Sequence, residues 1–589
     1  MDASCKNKIL SNDYADWIVD FELTDELLER DTAGLDYCYR QVDRILGLVF
    51  TKREETVPIG LLNFPYQRLP NLFGLQELVT ESVGGVFDPT PLISSGIRSV
   101  QTGPLNLTGE GTIIAFIDTG IDYRNPAFRN PDGSSRILAI WDQTIQEGNP
   151  PAGFSYGTEY TKEMIDRALE SEDPLTIVPS IDENGHGTAV TGVAAGSRIE
   201  EGTIFTGAAP DADILVIKLK PCKQYLRDYY LIPEETIAYQ TTDIMMALEY
   251  ADTFARSFSR PVIFCIALSS SYGSHSGNSP LSNYINRLAN KRSRVFVVGG
   301  GNEGNSLHHY EGNLSSENGD QTEREEEIEI RVGERERGFI TEIWARTPNV
   351  FSLSIRSPGG EDIPNTGVQA NRGIEYEFVY ERTNITVSYA LVEGNNGDEL
   401  ITVRFQNPTP GIWTLILQSE SGFRNAEFHI WLPISQFLSS ETYFLSPNPN
   451  ITLTLPSYAE NAITVSAYSD KNNSVYVRSG RGFSRGSEIK PDISAPAVGI
   501  SAPLRGLPGE LRLGKVTGSA MAAALMAGSA AGFMQWAVTE QNATYLNSGE
   551  VKNYFIRGAL RDDNLTYPNR LWGFGKLSLQ GVFDSLAGL

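Results

Sequence analysis

Residues 111–122 read GTIIAFIDTGID. Five apolar residues, Ile113 to Ile117, run without interruption into Asp118, Thr119 and Gly120. A strand with one wet face would alternate apolar and polar. This one does not, which predicts a strand buried on both faces that ends in a polar turn. The texture recurs in ADILVIKLK (212–220), PVIFCIALSSS (261–271), RVFVVGGGN (294–302) and NAITVSAYS (461–469). Helical patterns separate the strands: GHGTAVTGVAAGS (185–197), TTDIMMALEYADTFARS (241–257) and SPLSNYINRLANKRS (279–293). Another is expected from about 520 to 537. Buried strands alternating with helices predict an α/β fold with a parallel sheet and flanking helices.

Outside this pattern the texture changes twice. Residues 1–88 read as a small α+β unit, with ELTDELLERDT (22–32) helix-like, SVGGVF (82–87) strand-like and GLLNFPYQRLPNLFGLQ (60–76) loop-rich. After about 306, short strands such as EIEIRV (327–332) and WTLILQ (413–418) follow one another between Gly, Pro and Asn turns. That predicts an inserted β-sandwich, jelly-roll-like, over 311–445. Ile328, Ile330 and Val332 alternate with charges, so the charge run around them reads as a solvated face. The α/β unit then spans 89–310 and 446–589. No flexible Gly/Ser linker marks either junction, so the sandwich is expected to pack on its neighbour.

A chain of 589 residues exceeds one ordinary core. Its net charge of −25 argues against a nucleic-acid partner. The N-terminal residues show no basic region followed by an apolar run, so synthesis in the cytoplasm without a signal peptide is expected. No apolar stretch looks long enough to span a bilayer. The four cysteines, Cys5, Cys38, Cys222 and Cys265, are scattered and make neither a metal spacing nor a dense disulfide framework, which fits a reducing compartment.

Three motifs end or begin these elements where open parallel sheets carry their sites. Asp118 closes IAFIDTGID, His186 lies between glycines in NGHGTAVTGVAAG (184–196), and Asn302 follows VVGGG (297–301). Each alone has a plainer reading as a turn or cap residue. Together they form a chemistry. A buried carboxylate can orient an imidazole that takes a proton from a hydroxyl. An amide can donate to the oxyanion that follows.

These motifs, with GAAPDADILVIK (207–218), IKPDISAPAVGI (489–500) and TGSAMAAA (517–524), resemble the subtilisin-like (S8) serine proteases. Within them, the chain resembles the clostridial Csp spore-germination subtilases. That likeness rests on LNLTGEGTIIAFIDTGIDYRNPAF (105–128), RILAIWDQTI (136–145), SSYGSHSG (270–277) and the insertion between the Asn and Ser motifs. The resemblance implies Asp118 and His186 as catalytic, Asn302 in the oxyanion hole, and a prodomain at 1–88 that stays bound after folding. It implies substrate contacts at Leu268, Ser269, Ser270 and Gly300. It places the family's self-cleavage point near Phe87–Pro89, and the chain is expected to stay unbroken there for want of the serine, with 83–88 lying as a strand in the cleft beside Leu268–Ser270.

The family's nucleophilic serine position holds Ala520, because Gly518, Met521 and Ala522 fix the register. Alanine has no proton for His186 to take, and loss of that serine costs roughly a millionfold in turnover. Ser519 lies one position away, about 100° around a helix, and should point elsewhere. At Ser269 the family commonly has glycine, so its side chain either narrows the specificity pocket or is harmless drift. His275 reads as a structural loop residue. His308 and His309 have no third ligand at a useful spacing, so no metal or cofactor is expected, and calcium has no clear motif. Two readings stand. One is a pseudoprotease regulating spore germination, spore-associated, with other germination proteases or a small-molecule germinant as partners. The other is an active endopeptidase that processes a cortex-hydrolase zymogen, with Ala520 an engineered replacement.

Overall fold

The computed structural model describes residues 4–20, 34–56, 59–61, 68–315, 325–365, 367, 373–420, 425–439, 441–507 and 509–588. The helix expected at 22–32 lies outside them.

Six strands form the parallel centre of a nine-stranded sheet. Their order is Ile463–Ser469, Arg294–Gly299, Val262–Ile266, Ile113–Asp118, Asp213–Lys218 and Ile137–Asp142. Antiparallel strands Ser474–Val475 and Thr158–Thr161 lie at its two ends. Every residue of Ile113–Asp118 is buried, and the alternation of a strand divides them between two faces. Ile114 and Phe116 pack with the helices His186–Ala195 and Ser519–Met534. Ile113, Ala115 and Ile117 pack with Thr241–Ser257 and Pro280–Ala289. The result is three layers, with strand ends and helix starts meeting along one edge.

Helix Ser519–Met534 is rich in Ala and Gly, and all 16 residues are buried. With its continuation to Thr539 it is long and apolar enough to cross a bilayer by length and composition, which the sequence reading did not count. However, 89% of its most apolar window is buried inside the protein. Its small side chains let it sit directly on the sheet as a core helix.

Two antiparallel sheets of six and five strands occupy the stretch from His309–Ser315 to Tyr443–Phe444. Ile328, Ile330 and Val332 of one sheet share a core with Ile343, Phe405 and Phe428 of the other. This sandwich is docked on the parallel-sheet unit. Ile340, Ile434 and Phe437 join an apolar cluster with Tyr225, Tyr229 and Tyr272. Arg404 Nε donates to the Tyr229 carbonyl at 3.0 Å, and Gly273 N donates to Glu342 Oε2 at 2.8 Å.

The N-terminal residues form a three-stranded sheet, Tyr14–Asp20, Leu46–Lys52 and Tyr37–Gln41, covered by helix Ser4–Leu10. Cys5 and Cys38 are joined in a disulfide, which the sequence reading did not foresee, since packing rather than spacing brings them together. Cys222 and Cys265 are free and buried. Asp16, fully buried, pairs with Lys223 Nζ at 2.5 Å and accepts from Gln240 Nε2 at 2.5 Å. Removing one partner of such a pair leaves an uncompensated buried charge, at about 3–5 kcal/mol, so this contact fastens the N-terminal unit to the sheet unit.

Candidate active site

Asp118 ends its buried strand and His186 begins its helix, and the two side chains meet. His186 Nδ1 lies 2.7 Å from Asp118 Oδ1. Gly187 makes the approach feasible, because a Cβ there would fall 2.2 Å from the Gly120 carbonyl oxygen. Thr119 Oγ1 receives the Gly187 N–H at 2.9 Å and donates to Asp182 at 2.8 Å, which steadies the helix start. Asn302 follows strand Arg294–Gly299 across the cleft, and its Oδ1 accepts from Ser519 N at 3.0 Å. Ala520 is fully buried at the start of helix Ser519–Met534.

The cleft is filled by the chain itself. Strand Leu72–Leu75 lies antiparallel to Leu268–Ser269 on one side and to Tyr239–Gln240 on the other. Gln76 N continues the ladder to the Ala267 carbonyl at 2.9 Å. This corrects the sequence reading twice. The occupant is 72–76 rather than 83–88, and a stretch read as loop contains a strand. Pairing with two cleft edges makes it a strand. Its own sequence, with Pro70 and Gly74, gives little sign of one. Residues Val79–Val83 pair instead with Arg512–Thr517, and Phe87 packs against Phe205 with ring centroids 5.4 Å apart. Asp88 N donates to Ser501 Oγ at 3.0 Å, so the expected cleavage region is anchored on strand Ile500–Leu504 rather than paired with Leu268–Ser270.

Gln76 was missed from the sequence, and it is the residue that reaches the chemistry. Its side chain enters a pocket where Nε2 donates to the Gly299 carbonyl at 2.7 Å and the Leu268 carbonyl at 3.2 Å. A Cβ at Gly299 would lie 1.9 Å from Gln76 Oε1, so Gly299 makes room for the amide. Gly300 instead faces Leu453, so the pocket glycine is Gly299 rather than the Gly300 expected. Ser269 Oγ accepts from Thr454 Oγ1 at 3.0 Å, and the Ser270 backbone bridges Leu455 while its Oγ accepts from Tyr272 N at 3.3 Å, so both residues serve the wall behind the cleft. Ser519 Oγ donates to Gln76 Oε1 at 3.1 Å rather than to His186.

The sandwich completes the cleft. Gln436 Nε2 donates to the Leu75 carbonyl at 2.6 Å, and its Oε1 accepts from Leu75 N at 3.2 Å, as a neighbouring strand would. A Cβ at Gly74 would come 2.4 Å from Gln436 Oε1 and 2.7 Å from Ile434 Cδ1. The glycine is therefore required by the close approach.

Two successive peptide carbonyls at the centre are engaged by the candidate catalytic groups. The Gln76 carbonyl lies 3.0 Å from His186 Nε2, and Asn302 Nδ2 donates to the Glu77 carbonyl at 3.0 Å. A carbonyl only accepts, and so does the Asp118 carboxylate. Both His186 nitrogens therefore carry protons in this arrangement. Burial opposes charging the ring, but the Asp118 carboxylate and the Gln76 carbonyl outweigh it, and the pKa is raised above the ordinary histidine value. A ring protonated on both nitrogens cannot act as a base.

The sign of the pH dependence follows. Below about pH 6.5 the ring is charged in the unfolded chain too, so the gain from its partners is fully present. It is lost as pH rises through the raised folded value. Protection of the 72–76 amides from hydrogen exchange, corrected for intrinsic rates, is expected to be greater at pH 6 than at pH 9. Equal protection at both would count against this pairing.

The profile of the Subtilase family matches residues 109–328 and 439–575, which is more than half of the chain. The chain is a subtilase. The profile passes over 329–438, the body of the sandwich. The structure of this subtilase is similar to that of the CspB protease of Clostridium perfringens. The TM-score is 0.74 and the identity 30%, over 85% of this chain and 98% of that one. The subtilase is also similar to the PII-type proteinase of Lacticaseibacillus paracasei, at 23% identity over 312 residues, half of this chain. Subtilisin-like protease SBT2.2 of Arabidopsis thaliana is 32% identical over 137 residues, a fifth of this chain. The matches span only 14% and 16% of those two relatives' own lengths.

Proposed function

We propose that this subtilase is a non-hydrolysing regulator of spore germination, with its N-terminal segment retained as a prodomain that fills its own cleft. Support for the reading comes from an ordered Asp118–His186 pair, 2.7 Å apart, in a chain whose motif puts Ala520 where the family's nucleophile would stand. Binding, orientation and the oxyanion donor survive, while the group that would form the acyl bond is missing. The spore setting, and partners among other germination proteases, a zymogen or a small-molecule germinant, come from the sequence resemblance. Intact-mass spectrometry of the purified chain tests the first part. One unbroken species, with no hydrolysis of peptides ending in Leu-Gln, is expected. A stoichiometric break near residue 76, or serine-hydrolase labelling of Ser519, would overturn the reading. Deleting the gene in its spore-forming host, then restoring it unaltered, tests the germination role.

A second reading is favoured by the same intact pair. If a serine belongs at 520, the chain is an endopeptidase that cuts itself and then a cortex-hydrolase zymogen, and the alanine marks an engineered knockout.

A further inference from the structure

Three of the five histidines, His275, His309 and His429, lie far apart in sequence yet stack around one tryptophan, Trp431. The Trp431 ring lies 4.0 Å from His275 and 4.7 Å from His309, centroid to centroid, nearly parallel to both. His309 in turn stacks on His429 at 5.3 Å. His275 belongs to the sheet unit and the others to the sandwich, so the stack crosses the seam between them.

The hydrogen bonds run in one line. His309 Nδ1 is 3.2 Å from the Asn448 carbonyl, and His309 Nε2 is 3.1 Å from His429 Nδ1. His429 Nε2 is 3.2 Å from Glu427 Oε1. Both ends of this line are acceptors. The Asn448 carbonyl requires a proton on His309 Nδ1, which leaves a lone pair at Nε2 of a neutral ring. His429 Nδ1 must then donate to it, which leaves the His429 Nε2 lone pair aimed at a carboxylate. Three contacts need three protons, and two neutral imidazoles supply two. A cation belongs at His429 Nε2.

The surroundings of that nitrogen fit one. Glu311 lies directly opposite His429 in the antiparallel pair, and Glu427 is two residues along the same strand, so all three project from one face. One ligand atom from each of Glu311, Glu427 and His429 lies within 4.8 Å of the others. Asn448 Nδ2 donates to Glu311 Oε2 at 2.7 Å and so orients that carboxylate. His429 is buried while Glu311 is exposed, giving a fixed inner ligand and an open outer side.

We propose that Glu311, Glu427 and His429 form a binding site for a divalent first-row transition ion of the zinc type. One imidazole and two carboxylates leave a fourth position of a tetrahedron to water. His309 and the Asn448 carbonyl supply the relay that fixes the tautomer of a metal-bound histidine, as such ligands require. The ion would replace whichever proton His429 Nε2 holds, so binding releases up to one proton per ion. Because His309 of the relay stacks on Trp431, and Trp431 on His275, the ion would also stiffen the seam between sandwich and sheet unit.

Full-length protein, stripped with EDTA, is titrated with zinc chloride alone by calorimetry in two buffers of different ionisation heat. One zinc per chain is expected, with proton release. Glu427→Gln and His429→Gln should each weaken binding at least 100-fold. His309→Phe keeps the ring stack but removes the relay, and should weaken it 10–100-fold. Glu311→Gln alters an exposed side chain without risk to folding and should weaken it at least 10-fold. Absence of zinc binding by the unaltered chain, or binding that Glu311→Gln and Glu427→Gln leave unchanged, overturns the proposal. The second result would place the zinc elsewhere and leave a shared proton on His429.

Discussion

Replacing Ala520 with serine is expected to split this chain in two. The Asp118–His186 pair, the Asn302 amide and a peptide laid along Leu268–Ser269 are already assembled. The cut is expected between Gln76 and Glu77. Gln76 makes the last rung of the ladder and fills the side pocket against Gly299. A serine hydroxyl at 520 would compete with the Gln76 carbonyl for His186 Nε2. Once that carbonyl turns to Asn302, the ring loses a reason to hold its second proton and can serve as base. Mass spectrometry of Ala520→Ser should find fragments 1–76 and 77–589. A cut after Glu77 would show that Asn302 selects the register rather than the side pocket. A chain that stays whole although folded would show further loss of the site.

The second large effect uses that serine-bearing chain as its background. Asp118→Asn should slow self-cleavage about 10,000-fold, because an amide holds the imidazole in the wrong tautomer and cannot stabilise its charge. The comparison is a time course of intact against cleaved chain. Loss of less than about tenfold would mean that His186 is not the base. In the Ala520 chain the same change should leave the mass unaltered and relax the 72–76 segment, since the ring would no longer be held charged between two acceptors.

Much of this was legible in the sequence. Ile113–Ile117 announced a strand buried on both faces, and Ile328, Ile330 and Val332 announced a sheet with one wet side. Asp118, His186 and Asn302 could be placed because strand ends and helix starts of a parallel sheet must converge. The cleft occupant could not. Leu72–Leu75 is a strand only because two other strands and the Gln436 amide supply its hydrogen bonds, and all lie more than 150 residues away. Gly74 and Gln76 look unremarkable until Ile434 and Gly299 are seen against them. The Cys5–Cys38 pair and the histidine stack were hidden for the same reason. Contacts between distant segments leave no period and no local spacing in the text.

The Gln76–Ser519 hydrogen bond joins residues 443 apart. At ribosomal speeds of 5–20 residues per second, roughly 20–90 s separate the synthesis of one partner from that of the other. Through that interval Leu72, Phe73 and Leu75 have left the ribosome while their groove is incomplete, its strand edges arriving first and Gln436 and Ser519 last. An apolar segment waiting that long is a hazard for aggregation. Asp16, by contrast, can pair with Lys223 and Gln240 about 280 residues of synthesis before Ser519 exists to meet Gln76. The N-terminal unit can therefore dock on the half-made sheet and hold the segment beside Tyr239–Gln240 until the rest arrives. A chain ending near residue 260 should already protect Asp16 and its neighbours, with Leu75 and Gln76 still open to exchange until Ala267–Ser269 are made.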